Sequence, residues 1–230
     1  MPLTLPVSAA MAEGVTFVAN APVIELSVTE TVKSVPDMAT ISTGVVGKGA
    51  TAQEALRQAS IRTDSMLKTL KTFNIADKDI QTTQFSVGQD YDYSGAKPRL
   101  LGYQASSTLS VTVRDLGQLG KILDALTGAG ATDINGPTFA MADDTPQRSE
   151  ARRLSLDKMM VQARDYARWA GYDDVRIIWV TEDIQAGGGY QPPMPMMAKA
   201  EMAADASMPI APGEVGTMVM VRAKFEMVKK

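Results

Sequence analysis

Apolar and polar residues alternate from Val23 to Val32, with β-branched residues enriched, the period-two signature of a strand with one buried face. Pro36-Asp37 interrupts the run, because proline cannot extend a ladder and Asp favours a turn. Met38 to Val46 then resumes as a second strand, expected to be the hairpin partner of the first. Thr51 and Glu54 have the spacing of a capping box. The helix they open carries Ala52, Ala55, Leu56, Ala59, Met66, Leu67, Leu70 and Phe73 at three- and four-residue spacing, and Asn74 can close it in a left-handed conformation. A third strand is expected from about Asp79 to Val87, a long hairpin tip from Gln89 to Pro98, and a fourth strand through Tyr103 to Val113.

Asp115 can cap a second helix bearing Leu116, Leu119, Ile122, Leu123 and Leu126, with Gly130 ending it and a short strand running to about Phe139. Thr145-Pro146 starts a third helix with a predicted stripe of Leu156, Met160, Ala163, Ala167 and Ala170, stopped by Gly171. Val175 to Val180 is a compact apolar strand. The last strand, Val215 to Val228, places Val219, Val221, Ala223, Phe225 and Met227 on one face and should return to pair within an existing sheet. Three times a helix end is followed by an Asp and a β-branched residue (Asp79-Ile80, Asp133-Ile134, Asp174-Val175), a recurrence that helix-to-strand turn chemistry explains without duplication. The predicted fold is therefore α+β: mainly antiparallel sheets packed against three helices, in the order β-β-α-β-β-α-β-α-β-β.

At 230 residues the chain has the length of one large domain or two small ones, at about 150 residues each. The α+β region covers residues 23–228 and has room for two subdomains. Residues 1–22 are small and apolar apart from Glu13, and Ala10-Met11-Ala12 has the small-x-small pattern of a signal-peptidase site. No charged n-region precedes it, which would place the true start upstream; the other reading is a flexible N-terminal arm. No run within these residues reaches the roughly 18 consecutive apolar residues that a membrane span needs. Residues 185–214, opening with Gly187-Gly188-Gly189 and rich in Pro and Met, read as an irregular loop.

Composition narrows the chemistry more than it identifies it. The chain has no His and no Cys, which removes Ser-His-Asp and Cys-His nucleophile systems, Cys/His zinc sites and disulfides. Carboxylate, Lys and Tyr chemistry survive, but no arrangement of them makes a catalytic constellation, so no catalytic residue and no cofactor is assigned and the chain reads as a non-enzyme. A net charge of −3 without basic clusters argues against nucleic-acid binding. The glycine-rich stretch Gly44 to Thr51 lies where a phosphate loop would sit, but its spacing fits no phosphate-binding fingerprint.

Among the 15 methionines, Met194, Met196, Met197, Met202 and Met208 crowd into the irregular loop. Soft thioethers select Cu(I), which makes Met194, Met196 and Met197 the only metal candidates. Without His or Cys to anchor an ion, a Met/Pro linker tucked onto apolar surface explains them better, and no metal is expected. A ligand- or Cu(I)-binding periplasmic module remains the alternative function. Tyr91, Tyr93 and Tyr103 flank the hairpin tip and are candidate interface anchors. Asp143-Asp144 and Asp173-Asp174 fall at expected helix boundaries, where capping accounts for them.

Taken in order, several segments resemble the SIMPL-domain family of bacterial envelope proteins. They are Val35-Pro36-Asp37-Met38-Ala39, Thr51 to Leu56, Lys78-Asp79-Ile80-Gln81-Thr82, Tyr91-Asp92-Tyr93 and Gly102-Tyr103-Gln104-Ala105. Val113-Arg114-Asp115-Leu116 with Gly120, Ala151-Arg152 and Pro209 to Glu214 continue the series, so that the resemblance covers about Val23 to Phe225. Pro36, Asp37, Asp79, Ile80, Gly102 and Tyr103 are family-motif positions with structural roles. The resemblance implies an exported protein of the periplasm or the outer-membrane periphery, with no established enzymatic activity and an unspecified small-molecule ligand, if any. It also implies self-association into homo-oligomers and relatives linked to oxidative-stress protection. Val28-Thr29-Glu30-Thr31, where many relatives carry glycine, and Tyr172-Asp173-Asp174 after the third helix depart from the family pattern, both in structural positions.

Overall fold

The computed structural model describes residues 19–183 and 210–229. Its elements are β1 (Val23–Ser34), β2 (Met38–Gly49), α1 (Ala52–Thr72), β3 (Ile80–Asp92), β4 (Arg99–Val113), α2 (Leu119–Gly128), β5 (Asp133–Ala140), α3 (Thr145–Trp169), β6 (Asp174–Asp183) and β7 (Val215–Val228). The chain is α+β, and the element order is the one that the periodicity predicts. The described residues divide into a larger unit (31–148 and 210–217) and a smaller one (19–30, 149–183 and 218–229). The candidate signal-peptidase site and Met194, Met196, Met197, Met202 and Met208 lie outside the described residues.

The larger unit is built on a four-stranded sheet in the order β3-β4-β2-β5, antiparallel throughout. Pairs Ala39↔Val113, Ile41↔Val111, Thr43↔Leu109, Val45↔Ser107 and Gly47↔Ala105 put one set of alternating side chains on the helix-covered face. Met66 and Leu70 from α1, and Leu119, Ile122 and Leu126 from α2, close that core. The opposite face carries Thr40, Ser42, Thr108, Ser110 and Thr112, half-exposed and polar, as a sheet covered on one side requires. Thr43, buried, donates its hydroxyl to the Asp133 carbonyl at 3.3 Å.

At the other end of α1, Ala55 and Ala59 sit directly on the sheet beside Ala105. Gly47 makes this possible: a Cβ there would run into the Ala55 carbonyl oxygen and the Ala59 backbone nitrogen. Gly47, Lys48 and Gly49 are thus strand residues backing a helix, not a loop that cradles phosphate. Thr51 caps α1 by accepting from the Glu54 N–H at 3.2 Å. The reciprocal half of the expected box is missing, because the Glu54 carboxylate turns to Arg57 and Gln58 at 2.8 Å. That pairing holds Glu54 down at about 2. Leu56, expected on the buried stripe, lies on the exposed flank instead.

The predicted β1–β2 hairpin does not form. β2 has both edges occupied, by β4 and by β5, and Asp37 is committed to the end of β5. Its N–H donates to the Ala140 carbonyl at 3.2 Å, and its carboxylate accepts from the Ala142 N–H at 2.7 Å. β1 pairs instead with β7, the middle strand of the smaller unit's β1-β7-β6 sheet, so the last strand returns to a central position. All five residues expected on the inner face of β7 are buried. α3 buries Ala151, Ser155, Met159, Ala163 and Ala167, a strict four-residue ridge. Leu156 and Met160 of the predicted stripe are half-buried and Ala170 is exposed, because the buried ridge repeats every four residues from Ala151 and leaves these positions off its line. Ion pairs Arg152–Glu182 (2.6 Å) and Lys158–Glu30 (2.8 Å) tie α3 to β6 and β1.

Among the described residues all three helices end alike. Asn74, Gly130 and Gly171 take φ values of 58°, 98° and 79°. The residue after each donates its N–H to a carbonyl five positions back: Ile75 to Leu70 (3.3 Å), Ala131 to Leu126 (3.1 Å), Tyr172 to Ala167 (2.8 Å). This Schellman closure underlies the recurring helix-end pattern. The aspartates that follow do different things: Asp79 pairs with Arg114, Asp133 accepts from Asn135, and Asp174 accepts from the Val175 N–H.

Candidate functional site

The β3–β4 hairpin extends further than the sequence pattern indicates. β3 continues to Asp92, so Tyr91 is a strand residue and the tip shrinks to the turn after it. Asp92 fixes that turn, accepting from the Ser94 N–H (2.9 Å) and hydroxyl (2.6 Å), and these bonds hold its carboxyl below the usual range. The pairing Phe85↔Ser107, Val87↔Ala105, Gln89↔Tyr103 and Tyr91↔Leu100 places Phe85, Val87, Gln89, Tyr91, Leu100 and Tyr103 on the helix-side face. The hydrogen bond from the Tyr91 hydroxyl to Gln89 (3.0 Å) agrees with that assignment.

α1 does not reach across to β3 here. Phe85 is 55% exposed, Val87 41%, Leu100 48% and Tyr93 73%. The result is a strip of apolar and aromatic side chains from the strand to the tip. Tyr91 and Tyr93 come together at its end, ring centroids 6.0 Å apart and tilted by 49°. Tyr103, the third candidate anchor, packs against the alanine seam under α1. In the sequence Phe85 and Val87 read as ordinary residues of the third strand. The signal that could have singled out Phe85 and Val87 is the ten-residue run Ile80 to Gln89, which holds no charge and no proline.

Beside the strip, Lys48 pairs with Asp90 at 2.7 Å, at the rim of a shallow depression of about 330 Å³ that also includes Gly49, Leu101, Gly102 and Tyr103. Gly102 has φ 148°, and a Cβ there would lie 2.6 Å from the Gly49 carbonyl oxygen. At the other end of the sheet, Arg114 grips Asp79 with two hydrogen bonds (2.8 and 3.3 Å), which holds the Asp79 carboxyl below its ordinary range. Ile80, next to it, packs on the core. Pro36 stands ahead of Asp37, whose bonds to the end of β5 are described above. Asp143 accepts from the Thr145 N–H at 2.9 Å and Asp144 pairs with Arg148 at 2.8 Å, both at the start of α3. Asp173 and Asp174 open β6 rather than capping a helix: Asp173 donates its N–H to the Val228 carbonyl.

In the smaller unit Glu226, only 2% exposed, accepts from the Asn20 N–H (2.7 Å), the Ala21 N–H (3.2 Å) and Arg176. Arg176 first, then the Asn20 N–H, holds its carboxyl below the ordinary range. Among the described residues no group of three or more acidic side chains could hold a metal ion. No described helix is long and apolar enough to cross a membrane.

A family model described as SIMPL, protein of unknown function (DUF541), matches residues 24–225. The chain is 33% identical to the uncharacterized protein YggE of Escherichia coli K12, over 64% of this chain and 60% of that protein. It is 31% identical to a 26 kDa periplasmic immunogenic protein of Brucella melitensis biotype 1, over 83% of this chain and 79% of that protein. The match thus spans about 60% of the length of the Escherichia coli relative.

Proposed function

Because the chain belongs to the SIMPL family, we propose that it is an exported envelope protein that acts by self-assembly rather than by catalysis, with a protective role under oxidative stress. The observation that carries this reading is the strip of exposed Phe85, Val87, Tyr93 and Leu100, with half-buried Tyr91 among them. Contiguous apolar surface is uncommon on proteins that act alone, and aromatic side chains dominate interface energetics. The acidic groups nearest the hairpin and the sheet ends are committed to ion pairs, turns and caps, which favours a surface role over acid–base chemistry. A periplasmic location, with peripheral outer-membrane association, draws on the name of the Brucella relative. The stress role draws on the family resemblance.

Sedimentation velocity of the full chain at micromolar concentration tests the assembly. A discrete oligomer is expected, and a strict monomer overturns it. Fractionation of cells should recover the protein from the periplasm, and a deletion strain should be more sensitive to peroxide than its parent; an equal survival curve removes the stress role.

A further inference from the structure

We propose that two copies of this chain join edge to edge through β3, antiparallel about a two-fold axis at Ser86, to make one continuous sheet. This rests on the assembly reading above and specifies its surface. β3 is an edge strand of the larger unit's sheet, and its residues 81–89 are all exposed, on both faces. An edge strand presents a row of unpaired N–H and C=O groups, and monomeric proteins guard such edges with lysine, proline, charge, a β-bulge or a covering element. β3 has a bulge near Thr82–Gln84 but no charge or proline from Ile80 to Gln89.

The occupant follows from self-complementarity. A two-fold axis normal to the sheet keeps both helix-bearing faces on one side, so only residues whose numbers sum to an even value can stand opposite each other. Centring on Ser86 sets Phe85 against Val87 of the second copy, and Val87 against Phe85. The two exposed apolar residues of the strand then cover each other twice. Gln84 faces Gly88, regular pairing ends at the bulge that precedes Gln84, and the charge of Asp90 is already met by Lys48. Centring on Phe85 instead would leave Val87 against Thr83. Strand addition of this kind draws affinity from main-chain hydrogen bonds and specificity from alternate side chains.

The absence of cysteine makes the register directly testable in the full chain. Opposed residues in an antiparallel pair have Cα atoms about 4.5–5.5 Å apart, within the span that a disulfide bridges. Ser86→Cys should therefore form a disulfide-linked dimer under mild oxidation. Gln84→Cys, equally placed on the edge, should not do so alone, but should cross-link when mixed with Gly88→Cys. The Ser86→Cys reaction should be at least about tenfold faster than that of Gln84→Cys, because paired thiols react at a high effective concentration. Equal rates, or no cross-linking, overturn the proposal. The parent chain separates two failures. If it is monomeric, the assembly reading falls as well; if it is oligomeric and Ser86→Cys stays reduced, only this interface falls. Phe85→Lys, at an exposed site that folding does not need, should lower the oligomeric mass, and an unchanged mass also counts against β3.

Discussion

Two glycines of the same sheet should answer the same substitution with opposite signs. Gly47 on β2 and Gly88 on β3 both lie within strands, and neither needs a left-handed backbone. At Gly47 an added methyl meets the Ala55 carbonyl oxygen and the Ala59 nitrogen well inside contact distance, with the Ala59 Cα at 3.0 Å. All three are backbone atoms, so no side chain can swing aside. To restore ordinary carbon contacts near 3.5 Å, α1 must back off by roughly 1 Å, a gap that forfeits a quarter to a half of each dispersion contact it opens. The seats of Ala55 and Ala59 loosen, and the strain spreads along the helix towards Met66 and Leu70. Overpacking of this kind costs about 1–3 kcal/mol. At about 2–4 °C per kcal/mol for a chain of this size, Gly47→Ala should melt roughly 2–12 °C below the parent. At Gly88 nothing lies within 4 Å of the added methyl, and restricting the unfolded chain should leave stability unchanged or raise it by about 0.4–1 kcal/mol. Thermal and urea unfolding followed by circular dichroism read both variants. If Gly47→Ala melts no lower than Gly88→Ala, the close seating of α1 on β2 is wrong.

Two further outcomes concern the smaller unit. The Ser155 hydroxyl is buried in the α3 ridge with no hydrogen-bond partner among the described residues, so Ser155→Ala removes an unmet polar group and gains helix propensity. It should stabilise the protein by about 0.5–1.5 kcal/mol, and a lower urea midpoint would count against that burial. Glu226 has a folded pKa below its ordinary 4.5, so its contribution is fully present above that value and is lost as pH falls through the lowered folded value. Arg176 on β6 and the Asn20 and Ala21 N–H groups supply that shift. Stability should therefore decline below about pH 4.5 in the parent and decline less steeply in Glu226→Gln; identical acid profiles would refute the role given to this cluster.

The chemistry of the chain was legible only as far as composition excludes it. Lacking His and Cys, the sequence ruled out the commonest catalytic and metal systems, and the structure then occupied Asp79, Asp92 and Glu226 with structural partners. The candidate surface was half legible. Tyr91 and Tyr93 mark the hairpin tip in the sequence, but the exposure of Phe85 and Val87 depends on how far α1 reaches, and helix placement is not written in strand alternation. Likewise, Tyr103 reads like its neighbours yet belongs under the helix, because its strand partner is Gln89 and its neighbours across the layer are Ala55 and Ala59.

By itself the sequence determined the element types, their order, the helix ends at Asn74, Gly130 and Gly171, and the buried face of the last strand. These depend on residue spacing of two or 3.6 and on backbone angles that few residues adopt, which are local properties. Tertiary structure alone decided which strands pair. β1 has the pattern of a hairpin partner for β2, but β2 is filled on both edges and β1 goes to β7, nearly two hundred residues away along the chain. It also decided that the small residues Ala151, Ser155, Ala163 and Ala167 are buried while Leu156 is left on the flank, and that a side chain has no room at Gly47 and open space at Gly88. Each of these is set by what approaches from elsewhere in the chain, and a one-dimensional pattern carries no record of that approach.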